Sequence, residues 1–175
     1  MQFFPDRPII KYGLISAFLY WTITSVLALR IDGSMLLLSF YTPGTIFGIC
    51  LFLGLDTLKI RNRQFPLSII LLSTIFYAAV ILFCNKNITF SIQTRHFLSG
   101  GLGAILLFLA ISFSYKVNFA LYDYLLAFVV GLGTTFFMWT DKFGNFNPWL
   151  MFLCIGLWQI AISFLLDRKL DKATQ

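Results

Sequence analysis

The stretch FLSGGLGAILLFLAISFSY, residues 97–115, is the part of the sequence that most directly decides the fold. It carries no charged side chain between His96 and Lys116, and most of its residues are apolar. A helix needs about 20 largely apolar residues to cross the hydrocarbon core of a bilayer. The stretch therefore predicts a transmembrane helix.

Other apolar stretches of similar length lie on both sides of this one. Together they predict six spans, at residues 9–29, 35–55, 66–84, 97–115, 119–139 and 148–166. Continuous apolar character is typical of helices, because the strands of a membrane barrel alternate in polarity over about 10 residues. The first stretch is too long for the core of a signal peptide, and no small-residue cleavage site follows it. We therefore predict an all-α fold, a polytopic transmembrane helix bundle that forms one domain over residues 1–175.

The composition agrees with a membrane protein and argues against other classes. Of the 175 residues, 59% are hydrophobic and 11% are charged, whereas a soluble domain has about 25% charged residues. Cys50, Cys84 and Cys154 stand singly in apolar stretches and predict neither a disulfide framework nor a metal site. We expect a multi-pass protein of the plasma or inner membrane, in contact with the lipid bilayer and without a metal or a cofactor.

The basic residues predict the orientation of the spans. The chain has 13 Lys and Arg residues against 7 acidic ones, and most of the basic residues fall on the side that holds both termini. Basic loops stay in the cytoplasm, which predicts an N-in/C-in topology. Lys59, Arg61 and Arg63, between the second and third spans, form the expected cytoplasmic basic surface. No basic stripe suited to nucleic acid is present, and anionic headgroups explain the charge better.

Neutral polar and aromatic residues collect at the middle and outer depths of the predicted spans. Trp and Tyr ordinarily lie at the membrane surface, and a glutamine in hydrocarbon needs a hydrogen-bond partner. One interpretation is an outward-facing pocket for a small-molecule ligand. The other is interhelical packing, with the Thr and Gln side chains bonded to neighbouring helices. The residues concerned are Tyr20, Trp21, Thr24, Tyr41, Thr45, Tyr77, Thr134, Trp158 and Gln159.

Two spans carry residues that interrupt helices. Pro43 and Gly44 lie in the second span, and Gly131 and Gly133 lie in the fifth. These positions are equivalent if the chain divides into two inverted halves of three spans, and paired broken helices indicate a transporter site. Small residues also permit close helix packing, as we expect for the Gly13-x-x-x-Ala17 pattern of the first span.

The ionisable residues do not predict an active site. Asp56 and Asp123 lie at the cytoplasmic ends of spans, and Asp123 occupies a first helical turn, where a carboxylate is favoured. His96 and Ser99 are close in sequence on the outer side, but the G-x-S-x-G spacing of a serine hydrolase is absent. We therefore predict no catalytic residue and no enzyme.

Three functions are consistent with these features. The first is a transport or solute-binding membrane subunit. In size and topology the chain resembles the substrate-binding subunits of energy-coupling-factor vitamin uptake systems, although Gly13 and Ala17 stand where alanine pairs are expected. The second is a non-enzymatic scaffold, sensor or effector, such as an assembly, immunity or defence subunit, acting as a homo-oligomer or with a cytoplasmic protein partner. The third is a lipid-modifying membrane enzyme, whose acid–base groups would be Asp56, Asp123, Asp141 and His96.

Overall fold

The chain folds into helices, as the sequence predicts. A computed structural model describes residues 7–28, 36–58, 67–86, 92–136 and 148–174. These residues form six α-helices and no strand. The helices are α1 Pro8–Ala28, α2 Leu36–Thr57, α3 Ser68–Lys86, α4 Ile92–Tyr115, α5 Leu121–Phe136 and α6 Pro148–Thr174. Each helix overlaps one predicted span, so the all-α prediction is confirmed.

Helix α4 contains the stretch with the clearest membrane-spanning character. Its segment Phe97–Tyr115 is long and apolar enough to cross a bilayer, by length and composition. The apolar described stretches of four other helices are shorter, at Pro8–Ile23, Thr42–Thr57, Ser68–Val80 and Leu121–Thr135. One described helix is therefore a candidate to cross a membrane, and the six-span arrangement stays a prediction.

Helix α6 continues past residue 166, where the sixth span was predicted to end. The prediction stopped at the first charged residue, Asp167, because charge is unfavourable in hydrocarbon. The helix nevertheless runs on to Thr174. Leu170 is buried against the bundle, and this packing accounts for the added helical turns.

The helices form a closed ring. Each packs against its neighbours in the chain, and α1 also packs against α6. Neighbours are antiparallel: the start of α1 meets Gly54 near the end of α2, and Ser68 at the start of α3 bonds to Ser114 near the end of α4. The start of α1 and the end of α6 consequently lie at one end of the bundle, which we call the terminal end.

The buried apolar core lies mainly in the half of the ring nearer the terminal end. Its largest fully buried side chains include Ile9, Leu51, Leu55, Ile69, Phe108, Ile111, Ile162 and Leu166. The outer surface is also apolar, since every helix exposes large hydrophobic side chains. Examples, one from each helix in chain order, are Phe18, Leu53, Leu71, Leu109, Val129 and Phe164.

The buried polar side chains point into the bundle. They are Ser16, Ser73, Ser114, Asp123, Thr135, Gln159, Ser163 and Asp167. Apolar side chains therefore lie both in the core and on the outer surface of the described helices. A large exposed apolar surface is typical of contact with a membrane or a partner protein.

Candidate functional site

Trp158 joins three helices across the ring. Its indole Nε1 on α6 donates a hydrogen bond of 2.9 Å to the carbonyl oxygen of Gly100 on α4. The indole edge packs on Phe47 of α2, with 5.6 Å between ring centroids. The indole lies 3.5 Å from where a Cβ on Gly103 of α4 would stand, which is an ordinary van der Waals distance. A buried tryptophan usually finds a hydrogen-bond acceptor for its indole N–H. Here the acceptor is the carbonyl group of Gly100, and the bond joins α6 to α4.

Gln159, the next residue on α6, connects the bundle in another direction. Its Oε1 accepts a hydrogen bond of 3.0 Å from Ser16 Oγ on α1. Its Nε2 donates one of 3.3 Å to the carbonyl oxygen of Pro43 on α2. Gln159 and both of its partners are buried. The sequence required a partner for this amide, and the structure supplies one on each of two helices.

Helix α2 runs without interruption through Pro43 and Gly44. The proline has no N–H to donate, but the carbonyl groups of both residues gain side-chain donors. Gln159 reaches the Pro43 carbonyl, and Ser73 Oγ of α3 donates a 2.7 Å hydrogen bond to that of Gly44. The positions predicted as a helix break therefore serve as contact points for two neighbouring helices.

Close packing of α2 on α3 depends on two glycines. A Cβ on Gly44 would stand 2.8 Å from the carbonyl oxygen of Ser73, and one on Gly48 would stand 2.9 Å from the Cα of Ile70. Both distances are too short for a real contact. The Gly44-x-x-x-Gly48 pattern is typical of membrane helices that approach closely, and sequence reasoning missed it by treating Gly44 only as a break.

Two of the predicted pocket residues belong to this α2–α3 contact. Thr45 Oγ1 lies 3.0 Å from Thr74 Oγ1, so the two hydroxyl groups share a hydrogen bond. The Cβ of Tyr77 lies 2.7 Å from where a Cβ of Gly44 would be. These residues hold α2 against α3.

Two more lie on α1. Tyr20 is fully buried, and the indole of Trp21 occupies the space above Gly156 of α6, where any Cβ would overlap it. Gly13 has the same relation to Ser163 of α6. The contact between α1 and α6 thus relies on small residues on both helices, as the Gly13-x-x-x-Ala17 pattern predicts.

Thr134 makes its described hydrogen bonds within its own helix. Its Oγ1 donates to the carbonyl groups of Val130 and Gly131, at 3.2 and 3.0 Å. The neighbouring Thr135 reaches the carbonyl group of Phe97 on α4 at 3.2 Å. Thr135 therefore connects α5 to α4.

The two glycines predicted as a break in α5 have different surroundings. The helix is continuous from Leu121 to Phe136. A Cβ on Gly131 would overlap the carbonyl group of Gly100 on α4, at 2.7 Å from its carbon, whereas one on Gly133 would meet nothing within 4 Å. Only Gly131 is a point of backbone contact between helices.

Some predicted residues lie outside the described part of the structure. Lys59, Arg61 and Arg63 of the basic loop and Asp141 belong to undescribed segments, and the side chains of Thr24, Tyr41 and His96 are also outside it. Among the described residues, no group of three or more His, Cys, Asp or Glu side chains is arranged to hold a metal ion.

Among the described residues, the half of the ring near the terminal end and the half beyond Trp158 both contain buried and half-buried side chains. Near the terminal end, the core side chains around Phe108 and Leu166 are fully buried. Beyond Trp158, several described aromatic and polar side chains are only half-buried, including Trp21, Tyr77, Phe97 and Thr134. Trp158 and Phe47 lie at the boundary between these halves.

The terminal end contains two carboxylates that the bundle buries. Asp123 accepts a 3.0 Å hydrogen bond from the N–H of Ala120, which caps the start of α5, and forms an ion pair with Lys169. Asp167 forms a 4.0 Å ion pair with Arg7. The predicted capping role of Asp123 agrees with this geometry, while both ion pairs were missed because their partners are distant in sequence.

The chain matches no protein-family model, no curated protein and no solved structure. Its function has to be argued from its own residues.

Proposed function

We propose that this chain is a six-span membrane subunit that binds a small neutral solute in a pocket opening away from the cytoplasm. The position of Trp158 carries the proposal. Its indole joins α2, α4 and α6, and half-buried aromatic and hydroxyl side chains such as Trp21, Tyr77 and Thr134 lie beyond it.

The ring supports six spans through a simple geometric argument. If the Phe97–Tyr115 stretch of α4 lies in a bilayer, the antiparallel helices beside it lie at the same depth, and the ring extends this relation to all six. Helices α1, α2, α3 and α6 have 21, 22, 19 and 27 residues. At 1.5 Å per residue, 20 residues cover the roughly 30 Å of the hydrocarbon core. Hydrocarbon would also solvate the exposed apolar side chains of every helix.

Charge supports an orientation with the terminal end in the cytoplasm. Arg7, Lys11, Lys116 and Arg168 are exposed at that end. Arg95 is the one basic residue near the opposite end whose side chain the structure describes. Positive charge is retained on the cytoplasmic side. The half of the ring beyond Trp158, opposite the terminal end, therefore faces outward.

The chemistry around Trp158 favours an uncharged ligand. The described side chains near Trp158 and Phe47 offer aromatic rings, hydroxyl groups and the amide of Gln159. Ligand sites of this kind combine an apolar lining with a few placed polar groups. A charged solute would lose its hydration there without gaining a partner of opposite charge.

The experiment is a ligand screen on the purified full chain. We expect a neutral solute to raise the melting temperature and to shift tryptophan emission. Trp158→Phe removes the indole N–H and leaves the Gly100 carbonyl without that donor, which should weaken binding by about fivefold or more. Trp149→Phe, in the first turn of α6, is the matched control and should bind normally. A broad screen with no response would refute the proposal, and equal affinity in both variants would refute this site.

A second candidate function is a non-enzymatic scaffold that acts with a protein partner. It is favoured by the hydrogen bonds of Gln159 and Thr45, which engage other helices of the same chain, as packing alone would require. Charge reversal at Lys59, Arg61 and Arg63 tests it. In variants that still insert correctly, loss of a co-purifying partner would favour the scaffold, and an unchanged complex would count against it.

A further inference from the structure

Basic and acidic side chains are separated at the terminal end. Asp123 and Asp167 are both buried, and they pair with Lys169 and Arg7. Their negative charge is therefore turned into the bundle.

The exposed charge at this end is mostly positive. Lys11, Lys116 and Arg168 are exposed, and none of them has an ion-pair partner among the described residues. Among the side chains that the structure describes, Asp56 is the exposed carboxylate at this end. The sequence places Lys, Arg and Asp residues together at this end. Folding buries Asp123 and Asp167 and leaves Lys11, Lys116 and Arg168 exposed, so the described surface is basic.

This basic surface borders an apolar one. Phe113, one turn before Lys116, is 58% exposed, and Leu121 and Tyr122 at the start of α5 are 75% and 65% exposed. Lys169 Nζ lies 5.4 Å from the centre of the Tyr122 ring. Aromatic side chains with bases beside them are typical of the headgroup level of a membrane.

Lys116 has an unusual backbone. Its φ is 51°, in the left-handed region. Glycine adopts this conformation at lower cost and is common directly after a helix. A lysine is unfavourable here for the fold alone. It nevertheless places a positive charge where α4 ends, beside the exposed apolar side chains of Phe113, Leu121 and Tyr122.

We infer that the terminal end binds the phosphate groups of anionic phospholipids in the adjacent leaflet, with Lys11, Lys116 and Arg168 as the binding side chains. The ligand is a lipid rather than a soluble phosphate because the basic groups adjoin the exposed apolar belt, which requires acyl chains. Each basic side chain near an anionic membrane surface changes association by about fivefold. The inference rests on the membrane placement proposed above, but not on solute binding.

The test uses the full chain reconstituted in vesicles of phosphatidylcholine with a minority of phosphatidylglycerol. After flotation and mild detergent extraction, the lipids retained by the protein are quantified. The test variant is K116Q with R168Q. Its control, K86Q with K142Q, removes two positive charges on the predicted outer side.

We expect wild type and control to retain phosphatidylglycerol several-fold above its share of the vesicle. The K116Q/R168Q variant should lose most of this enrichment, and wild-type enrichment should fall as salt is raised. Equal retention of the two lipids by wild type, or equal losses in both variants, would overturn the lipid surface. A wild-type chain that fails to float with the vesicles would overturn the membrane placement itself.

Discussion

Gly131 and Gly133 provide the sharpest test of the helix packing. They are two residues apart in α5, and alanine adds the same methyl group at each. At Gly133 the methyl group would meet nothing within 4 Å. At Gly131 it would overlap the backbone carbonyl group of Gly100 and stand 3.0 Å from the Cα of Gly101.

The two substitutions should have opposite effects on stability. Replacing a helical glycine by alanine gains about 1 kcal/mol from helix propensity, and at Gly133 nothing opposes this gain. Overpacking costs about 1–3 kcal/mol. At Gly131 the cost should lie near the upper value, because the obstructing atoms belong to a backbone and α4 and α5 must separate. We expect Gly131→Ala to lower the free energy of unfolding by about 1–2 kcal/mol and Gly133→Ala to raise it by up to about 1 kcal/mol.

Unfolding in mixed micelles with increasing SDS, followed by circular dichroism, measures both changes. The wild-type chain and the two variants are compared at matched detergent concentration. A Gly131→Ala variant as stable as Gly133→Ala would refute the close contact of α4 with α5.

Further predictions concern the interior and the terminal end. Gln159→Leu leaves Ser16 without its described acceptor and should destabilise the bundle by about 0.6–1.7 kcal/mol, measured by the same SDS titration. Lys116→Gly relieves the left-handed backbone and should stabilise by up to about 1 kcal/mol; a loss of stability would show that the lysine side chain holds the turn. Asp123→Asn removes the ion pair with Lys169 and should cost about 1–3 kcal/mol, and adding Lys169→Gln should recover part of this loss in a double-mutant cycle.

The sequence determined the helices and their approximate positions. Hydropathy and helix length are properties of contiguous residues, so the stretch at 97–115 could be recognised without knowledge of its neighbours. The same reasoning placed Asp123 in a first helical turn. It did not predict that α6 continues beyond the span at 148–166, because the burial of Leu170 against the bundle is not a local property.

The candidate site was predictable in composition but not in arrangement. The sequence identified Trp158 and Gln159 as residues that need partners. It did not identify those partners, since Gly100 is 58 positions from Trp158 and Ser16 is 143 positions from Gln159. Which polar groups meet depends on the order and rotation of helices in the ring.

What the sequence determined by itself is therefore the class of structure: continuous apolar helices with basic residues biased to one side. The tertiary structure decided which residues touch. Gly131 and Gly133 are the same residue type in the same helix, yet only Gly131 faces α4. Asp123 and Asp167 are ordinary charges in the sequence, yet folding buries both beneath basic partners. The physical reason is that apolar helices can pack on any face, and only the fit of side chains between helices selects one.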